Sequence, residues 1–409
     1  MGKIIEIRNK IEMKWENIQY EKKCDLSEKL FLSVLAIWLI YVFDWITMFH
    51  TQWPEHVYLY IQTALVVSVF FRYLILNSKD IVIIVFAMFI LGVYYISRDQ
   101  SGMCWVLETG LLIIGARNID YKKILKVYLG VQIPLTIITL IAGQTGFIEN
   151  LTYHRGEQVR MAFGFVYPTN FASHLMFMIA AWIAIREIKC TFVELGLIVV
   201  IVAFLDKYCD ARCGEICLIL IVLCTVYLKY RIFFANKNGK KYKTSKFLNF
   251  ICLCVPFLGA GIMILLSRFY DPNKNWMAKI DRITSTRLAL GKKTFDLYDV
   301  KLWGQYIELR SSGGTTDPVP DYFFIDCSYL NILMRFGFAV FVLTMLFLSI
   351  MIIKSYKKPF LLAMIVIICI HSMIEQHLFE VHYNIFYMLA LTNFNVQDNR
   401  KKRLIKKRE

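Results

Sequence analysis

Long apolar runs recur along almost the whole chain, and they constrain its fold more than any other feature. About 20 apolar residues in a helix cross the hydrocarbon core of a bilayer. Hydrophobic residues make up 57% of the 409 residues, and the mean hydropathy of +0.51 is too high for a soluble domain of this length. Outer-membrane strands would give short alternating segments, which do not dominate here. The sequence therefore predicts an all-α polytopic membrane protein.

The pattern predicts about twelve transmembrane helices and one long, partly helical extracytoplasmic loop. The predicted spans are residues 30–48, 57–76, 81–97, 103–116, 124–142, 163–185, 192–206, 214–234, 247–267, 327–353, 359–374 and 378–395. They divide the chain into a basic N-terminal segment (1–29), nine helices (30–267), the loop (268–323), three helices (324–395) and a basic tail (396–409). The first segment is charged and mixed, so we expect no signal peptide there.

The net charge of +16 follows the predicted topology. With the N-terminal segment placed inside, about two thirds of the 47 lysines and arginines fall in inner segments. This asymmetry predicts that both termini are cytoplasmic. The tail RKKRLIKKRE is then a contact for membrane lipids, and we expect no nucleic-acid partner.

Most of the eleven cysteines lie inside predicted spans, where cysteine behaves as a small hydrophobic residue. Cys209 and Cys213 are four residues apart near an outer helix end. Free thiols are the main interpretation. A disulfide or a metal pair is the alternative, but no second pair at metal-ligand spacing accompanies them.

Polar residues crowd the outer mouth of the sixth span, RMAFGFVYPTNFASHL. Arg160 precedes the span, Asn170 lies in its first turn, and His174 lies about 9 Å below Pro168. One interpretation makes these residues substrate contacts. The other is structural: an interfacial arginine, a helix start and a histidine bonded to a neighbouring helix.

Further arginines occur in two other outer segments. Arg212 follows the acidic turn DKYCDARCGE, and Arg282 and Arg287 lie five residues apart in the long loop. The structural alternatives are a salt-bridged turn for Arg212 and a solvated helix face for the other two.

The last outer segments add two carboxylates. Asp326 stands at the mouth of the tenth span, and Arg335 follows nine residues later, about 14 Å deeper if the chain is helical. An arginine inside a span usually faces a polar cavity. Asp326 could instead cap a helix. Glu375 lies one helical turn after His371 in the turn between the last two spans, where a metal site is the weaker alternative.

Together these patterns place arginines from four segments, with carboxylates, on one side of a membrane. Guanidinium groups bind phosphate through paired, charge-assisted hydrogen bonds. A nearby carboxylate can act as a general base for a hydroxyl nucleophile. The set favours glycosyl transfer from a sugar donor linked to a lipid pyrophosphate.

Four segments of the chain resemble the Wzy-type polysaccharide polymerases, in the broad family that includes O-antigen polymerases and ligases. RMAFGFVYPTNFASHL is similar to that family's R-x-x-G-F-x-x-P-N-x-F segment, and DARCGEICLIL to its S-R-x-x-x-L turn, with Ala211 in place of serine. STRLALGKKTFDLYDVKLWGQ resembles the long-loop pattern but lacks its second glycine after Gly304. DCSYLNILMRFGFAVFVL resembles the H-N-x-Y-L…G segment, with Asp326 where ligases often carry histidine.

The resemblance implies an inverting, metal-independent glycosyltransferase in the bacterial plasma membrane, without a cofactor. Its substrates are polyprenyl-pyrophosphate-linked oligosaccharides, and a chain-length regulator and a flippase are expected partners. Arg212 and Arg287 are assigned to the donor pyrophosphate, and Arg160 and Arg335 to electrostatic support. Asp326, or else Glu375, is the expected base. Asn170, His174 and Arg282 are further predicted substrate contacts.

Two other functions remain open from the residues alone. A flippase for the same lipid-linked sugars would place cationic residues through the middle spans, and spans two to five hold few ionisable residues apart from Arg72 and Glu108. An O-antigen-type ligase would transfer the glycan to a different acceptor. The histidine-to-aspartate difference at Asp326 favours a polymerase.

Overall fold

The computed structural model describes residues 2–77, 80–240, 242–317 and 319–394. The predicted basic tail, 396–409, lies outside the described residues. The described helices are α1 Gly2–Phe43, α2 Glu55–Asn77, α3 Ile81–Ser101, α4 Trp105–Gly115, α5 Tyr121–Thr145, α6 Pro168–Arg186, α7 Phe192–Tyr208, α8 Arg212–Lys237, α9 Lys246–Arg268, α10 Asn275–Ile283, α11 Arg287–Leu297, α12 Ser328–Asn331, α13 Phe338–Ser355 and α14 Pro359–His371. Two short strands, β1 Thr152–Arg155 and β2 Gln158–Met161, pair as an antiparallel hairpin between α5 and α6.

Within the described residues, eight helices are long and apolar enough to cross a membrane, which confirms the prediction of a mostly helical, multi-pass membrane protein. They are Gln19–Ile46, Glu55–Ile75, Ile81–Ser101, Tyr121–Thr145, Pro168–Lys189, Arg212–Lys237, Lys246–Arg268 and Phe338–Ser355. Two of the other predicted spans correspond to shorter apolar helices, α4 with 11 residues and α14 with 13. These two are too short to span the hydrocarbon core alone.

The predicted twelfth span, 378–395, differs from the structure. Its described residues form turns followed by a 3₁₀ helix, Ile385–Leu391. Tyr387 shows why the segment is stable without a long helix. Its hydroxyl lies 2.8 Å from Thr344 Oγ1 and 3.1 Å from the Tyr94 hydroxyl, so α13 and α3 satisfy its polar group.

The predicted tenth span, 327–353, is also interrupted. The short helix α12 passes into a π-helix, Ile332–Phe336, and Gly337 then breaks the chain with a φ of 94° before α13 begins. The backbone N–H of Gln305 donates to the Arg335 carbonyl (2.9 Å), and Ser97 Oγ donates to the Phe336 carbonyl (2.8 Å). The predicted tenth span is therefore two helical segments, and Arg335 lies in the π-helical one that precedes the break.

The helix ends gather into two groups. The hairpin end carries residues 44–54, the β1–β2 hairpin, the 209–211 turn and the long connection 269–327; Thr47 pairs with Phe165 there. At the opposite end Asp120 pairs with Asn393, and Lys123 forms an ion pair with Glu28. Both the first helix and the last described residues thus reach the opposite end.

The long connection contains the two helices α10 and α11. Ser285 and Thr286 separate α10 from α11 with left-handed φ values of 54° and 66°. Asp281 Oδ1 accepts from the backbone N–H groups of Leu288 and Ala289 (2.9 and 3.0 Å), so its carboxylate satisfies the free amides at the start of α11. The new helix then packs on α9, where Gly291 allows close approach to Ser267.

Candidate active site

Arg287 is the first residue of α11, and the local turn aims it into the bundle. Its Nη1 donates to the Ser285 carbonyl (3.0 Å), which steadies the side chain against its own turn. Its Nε donates to the Ile374 carbonyl (3.4 Å) in the segment after α14. Only 16% of the side chain is exposed. An arginine of the extramembrane connection is therefore inserted among residues of the bundle.

Two carboxylates flank this guanidinium. Arg287 Nε lies 3.5 Å from Asp326 Oδ2, and Arg287 Nη2 lies 3.5 Å from Glu375 Oε1. Burial alone would lower the pKa of Arg287, but Asp326 and Glu375 outweigh it and raise the pKa above its ordinary value. The arginine stays charged and holds two acidic groups close together. We call these three residues the carboxylate–arginine cluster.

Asp326 does not act as a helix cap. The N-cap residue of α12 is Cys327, and no side chain caps that helix. Asp326 Oδ2 is buried and makes no hydrogen bond of good geometry with the described residues. Burial raises the pKa of Asp326 to about 6, although Arg287 acts in the opposite direction. The residue is thus a buried carboxylate whose Oδ2 faces Arg287 without a hydrogen bond and whose pKa is about 6.

Ser328 ties the two carboxylates to one another through the backbone. Its N–H donates to the Ser372 carbonyl (3.0 Å), and its hydroxyl donates to the Glu375 carbonyl. The same hydroxyl accepts from the Leu378 N–H (3.1 Å). These bonds hold α12 against the turn after α14, so Asp326 and Glu375 keep a fixed separation.

A second group of charges lies on the hairpin and the 209–211 turn. Asp210 pairs with Arg155 (2.8 Å) and with Arg212 (3.1 Å). Arg160 Nε donates to the Cys209 carbonyl (2.7 Å) of the same turn, while its buried Nη2 has no partner among the described residues. Burial lowers the pKa of Arg160 to about 10, with Arg155 acting in the same direction, so the guanidinium is still charged at neutral pH. We call Arg155, Arg160, Asp210 and Arg212 the hairpin arginine group.

The two groups are neighbours. Glu375 contributes to the electrostatic field at Arg160, and Asp326 contributes to that at Tyr167, which precedes α6. Tyr322 interacts with Asp326, Glu375 and Arg287; burial and these carboxylates raise its pKa. The Tyr167 hydroxyl approaches Ser311 and Ser312 but makes no hydrogen bond of good geometry. Tyr167, which is half-buried, and Tyr322, which is exposed, therefore both lie beside Asp326.

The structure thus brings together five of the nine predicted site residues: Arg160, Arg212, Arg287, Asp326 and Glu375. Sequence reasoning missed Arg155, Asp210, Tyr167 and Tyr322. Arg155 and Arg160 are five residues apart with Gly156 between them, a spacing that fits a short hairpin with both arginines near one turn. That signal was available in the sequence.

The other four predicted residues lie elsewhere or make no contact with these groups. His174 is fully buried, and the rings of Phe43, Phe165 and Tyr383 surround it at centroid distances of 5.5, 5.7 and 5.9 Å. Asn170 is half-buried in the first turn of α6, and Arg282 is exposed on α10. Arg335 lies beside Phe336 and interacts electrostatically with Glu380, which is not a member of the cluster.

His371 and Glu375 do not point at a common ligand. His371 Nε2 lies 3.3 Å from Ser173 Oγ, whereas Glu375 pairs with Arg287. Among the described residues no three histidine, cysteine, aspartate or glutamate side chains gather as a metal site. Cys209 and Cys213 are both free thiols.

No family model, no curated protein and no solved structure matches this chain.

Proposed function

We propose that the protein polymerises lipid-linked oligosaccharide repeat units. The observation that carries the proposal is the position of Arg287, which lies 3.5 Å from both Asp326 and Glu375 at one end of a membrane helix bundle. A buried acid with a free oxygen and a set of cations beside it are the two requirements for transfer from a phosphorylated donor to a hydroxyl. The resemblance of four segments to the Wzy-type polymerases supports the same assignment.

The donor in this proposal is a glycan attached to polyprenyl pyrophosphate. The hairpin arginine group has three cations against one carboxylate, Asp210, and its Arg160 has a buried N–H that no described residue accepts. A pyrophosphate oxygen would satisfy that donor. Arg287 is already balanced by Asp326 and Glu375, so its part is to position the carboxylates and to contact the phosphate nearest them. This shifts the main pyrophosphate contacts from Arg212 and Arg287 towards Arg160 and Arg212.

Asp326 is the proposed base. It takes the proton of an acceptor hydroxyl as the oxygen of that hydroxyl forms a bond to the anomeric carbon of the donor sugar. The bond from that carbon to the pyrophosphate oxygen breaks, and the pyrophosphate leaves with the electron pair. The arginines stabilise the charge that develops on it. Attack opposite the leaving group inverts the anomeric configuration, and the acceptor is the terminal sugar of a new lipid-linked repeat.

The proposal sets the hairpin end at the extracytoplasmic face of a bacterial plasma membrane. The excess of lysine and arginine in the opposite segments supports this orientation. The lipid-linked repeats then arrive after a flippase has moved them across, and a chain-length regulator is an expected partner. Both are proposals that follow from the reaction and its place.

The decisive experiment is extension of purified lipid-linked repeat units by the purified protein, with the products sized on a gel. We expect a ladder of products spaced by one repeat unit. Asp326→Asn at equal protein concentration is the control and should give no ladder. Transport of the lipid-linked repeat across vesicles without any ladder would identify a flippase. Transfer of a finished glycan only to a non-repeat lipid acceptor would identify a ligase. Either result would overturn the proposal.

A further inference from the structure

An apolar groove runs down the bundle beneath the carboxylate–arginine cluster. It is a cavity of about 280 Å³ at the junction of α8, α9 and α14, and its walls are almost wholly apolar. On α14 it extends from Pro359 to Ile370, about 16 Å along the helix axis. That is roughly half the thickness of the hydrocarbon core.

The groove and the cluster share one face of α8. Cys213 lies close to the cluster: its thiol approaches the His371 carbonyl (3.9 Å) and interacts electrostatically with Glu375 and Arg287. Further down the helix, Leu220, Cys224 and Leu228 line the groove. Steps of three and four residues keep side chains on the same face of a helix. The groove therefore lies directly below the polar site on this helix.

The face of α14 shows the same continuity. Ala363 and Ile370 line the groove, and the next turn of the chain after Ile370 brings Ile374, whose carbonyl accepts from Arg287 Nε. Cys252 closes the third wall from α9. Cysteine and alanine at these positions leave a space that larger apolar side chains would fill.

We infer that this groove holds the isoprenoid chain of the lipid-linked donor. The inference rests on the proposed function, because it takes the pyrophosphate to lie at the arginines. In such a lipid the chain is bonded directly to the pyrophosphate, so its first units must lie beside the arginines that bind it. The upper end of the groove, at Ile370, lies about one helical turn from Ile374, whose carbonyl accepts from Arg287, and the groove leads from there down among the helices. A two-chain phospholipid would keep its headgroup at the membrane surface and has no such reason to enter.

The inference can be tested by photolabelling, without any transfer reaction. The probe is a polyprenyl pyrophosphate with a diazirine in its chain, incubated with the full-length protein in nanodiscs. We expect labelled peptides from α8 and α14 at the groove, and competition by unlabelled polyprenyl pyrophosphate. A phosphatidylglycerol with a diazirine in one acyl chain, at the same mole fraction, should label the groove at least tenfold less. Equal labelling by both probes would mean bulk lipid and would overturn the inference.

Two groove-filling variants and one matched variant sharpen the test. Cys224→Phe and Ala363→Phe each place a ring in the groove and should reduce labelling by the isoprenoid probe about tenfold or more. Val226→Phe adds a ring to an exposed position on the same helix, outside the groove, and should label as the parent does. Thermal unfolding midpoints for all three identify any variant that fails to fold. Two folded groove variants that label fully would overturn the inference.

The two proposals fail in different ways. If the isoprenoid probe labels the groove but the protein forms no ladder, the groove inference stands and the polymerase proposal is wrong. If both folded groove variants form a ladder at the parental donor KM and the groove is not labelled, the polymerase proposal stands and the groove inference is wrong.

Discussion

Arg287 Nε lies 3.5 Å from Asp326 Oδ2, although the arginine belongs to the long connection and the aspartate to the bundle. The same guanidinium reaches Glu375 on its other side. Lysine would keep the charge but lose the planar fork that contacts two carboxylates at once. We expect Arg287→Lys to reduce polymer formation at least a hundredfold at normal protein abundance, measured by the ladder assay.

Arg310→Lys is the matched control for that substitution. Arg310 lies in the same connection and pairs only with Glu308 in an exposed ion pair, with 49% of its side chain accessible. Exposed pairs contribute little to stability, so the control should form polymer at the parental rate. Parental polymer from Arg287→Lys would remove the cluster from the mechanism.

Asp326→Asn separates the two carboxylates of the cluster. An amide of the same shape cannot take a proton, and a general base typically contributes about 10² to 10⁴-fold in rate. We expect Asp326→Asn to lose turnover by that order and still bind labelled donor lipid, because the hairpin arginine group is untouched. Glu375→Gln should be less severe. If Glu375→Gln is the dead variant and Asp326→Asn is active, Glu375 is the base.

The rate should fall as the pH is lowered through about 6. Burial raises the pKa of Asp326 to about 6, so the base becomes protonated below that pH. The folded state then binds more protons than the unfolded one, and the contribution of Asp326 to stability rises as the pH falls from about 6 towards its unfolded value of about 3.8. A loss of activity over this pH range therefore reports protonation of the base and not unfolding around Asp326. Initial rates between pH 5 and 8 measure this fall in rate, the acidic limb of the pH–rate profile.

Arg287, Glu375 and His377 act on the ionisation of Asp326, and Tyr167, Tyr322 and Cys327 also face it. His377 is the histidine of this set, and its Nδ1 lies 2.8 Å from Glu380 Oε2. His377→Gln is the control, and it should retain an acidic limb, although its midpoint can move because a neighbouring charge has changed. Disappearance of the limb in His377→Gln would assign it to the histidine.

Arg160→Gln tests the hairpin arginine group. The substitution removes the unpartnered Nη2 and the charge that is proposed to face pyrophosphate. A charged hydrogen bond contributes about 1.5–3 kcal/mol, so we expect the donor KM to rise about tenfold or more with a smaller change in kcat. Glu157→Gln, an exposed change at the tip of the same hairpin, should leave the donor KM unchanged. An unchanged KM in Arg160→Gln would place the pyrophosphate elsewhere.

Gly304→Ala and Gly337→Ala should both destabilise the protein. Both glycines have left-handed φ values, 91° and 94°, and a methyl group at Gly304 would overlap the Arg335 carbonyl. One at Gly337 would overlap the backbone N of Gly304. Strained backbone of this kind costs about 1–3 kcal/mol, so the thermal midpoint in detergent should fall by several degrees. Gly313→Ala, in the same connection, adds a methyl group that makes only an ordinary contact with Ser311 (3.7 Å), so it should unfold at the parental temperature.

The predicted spans matched the structure best where a helix is apolar along its whole length, as in α3 and α9. Such segments must satisfy every backbone group internally, so composition alone determines the helix. The break at Gly337 was missed because it depends on Gly304, a contact between distant parts of the chain. The 3₁₀ segment Ile385–Leu391 was missed for the same reason: its polar groups are satisfied by α3 and α13.

The sequence predicted which side of the membrane carries the candidate site, but not how its residues are arranged. Charge asymmetry predicted that Arg160, Arg287 and Asp326 face one compartment, and the structure groups them at one end. Their separations depend on how α11 and α12 pack against the bundle, which has no periodic signal. Asp210 was expected only as part of a salt-bridged turn around Arg212, and it does pair with Arg212.

The carboxylate–arginine cluster joins the long connection to the bundle, and this contact restrains the connection. Asp326 and Glu375 stay with the bundle, whereas Arg287 travels with α11. If the connection lifted away, two close, buried carboxylates would lose their counter-ion, and one of them would have to take up a proton or be hydrated. Opening is therefore coupled to pH: undocking of α11 should become easier as the pH falls. The ion pairs of Arg287 hold the connection closed only while the carboxylates are ionised.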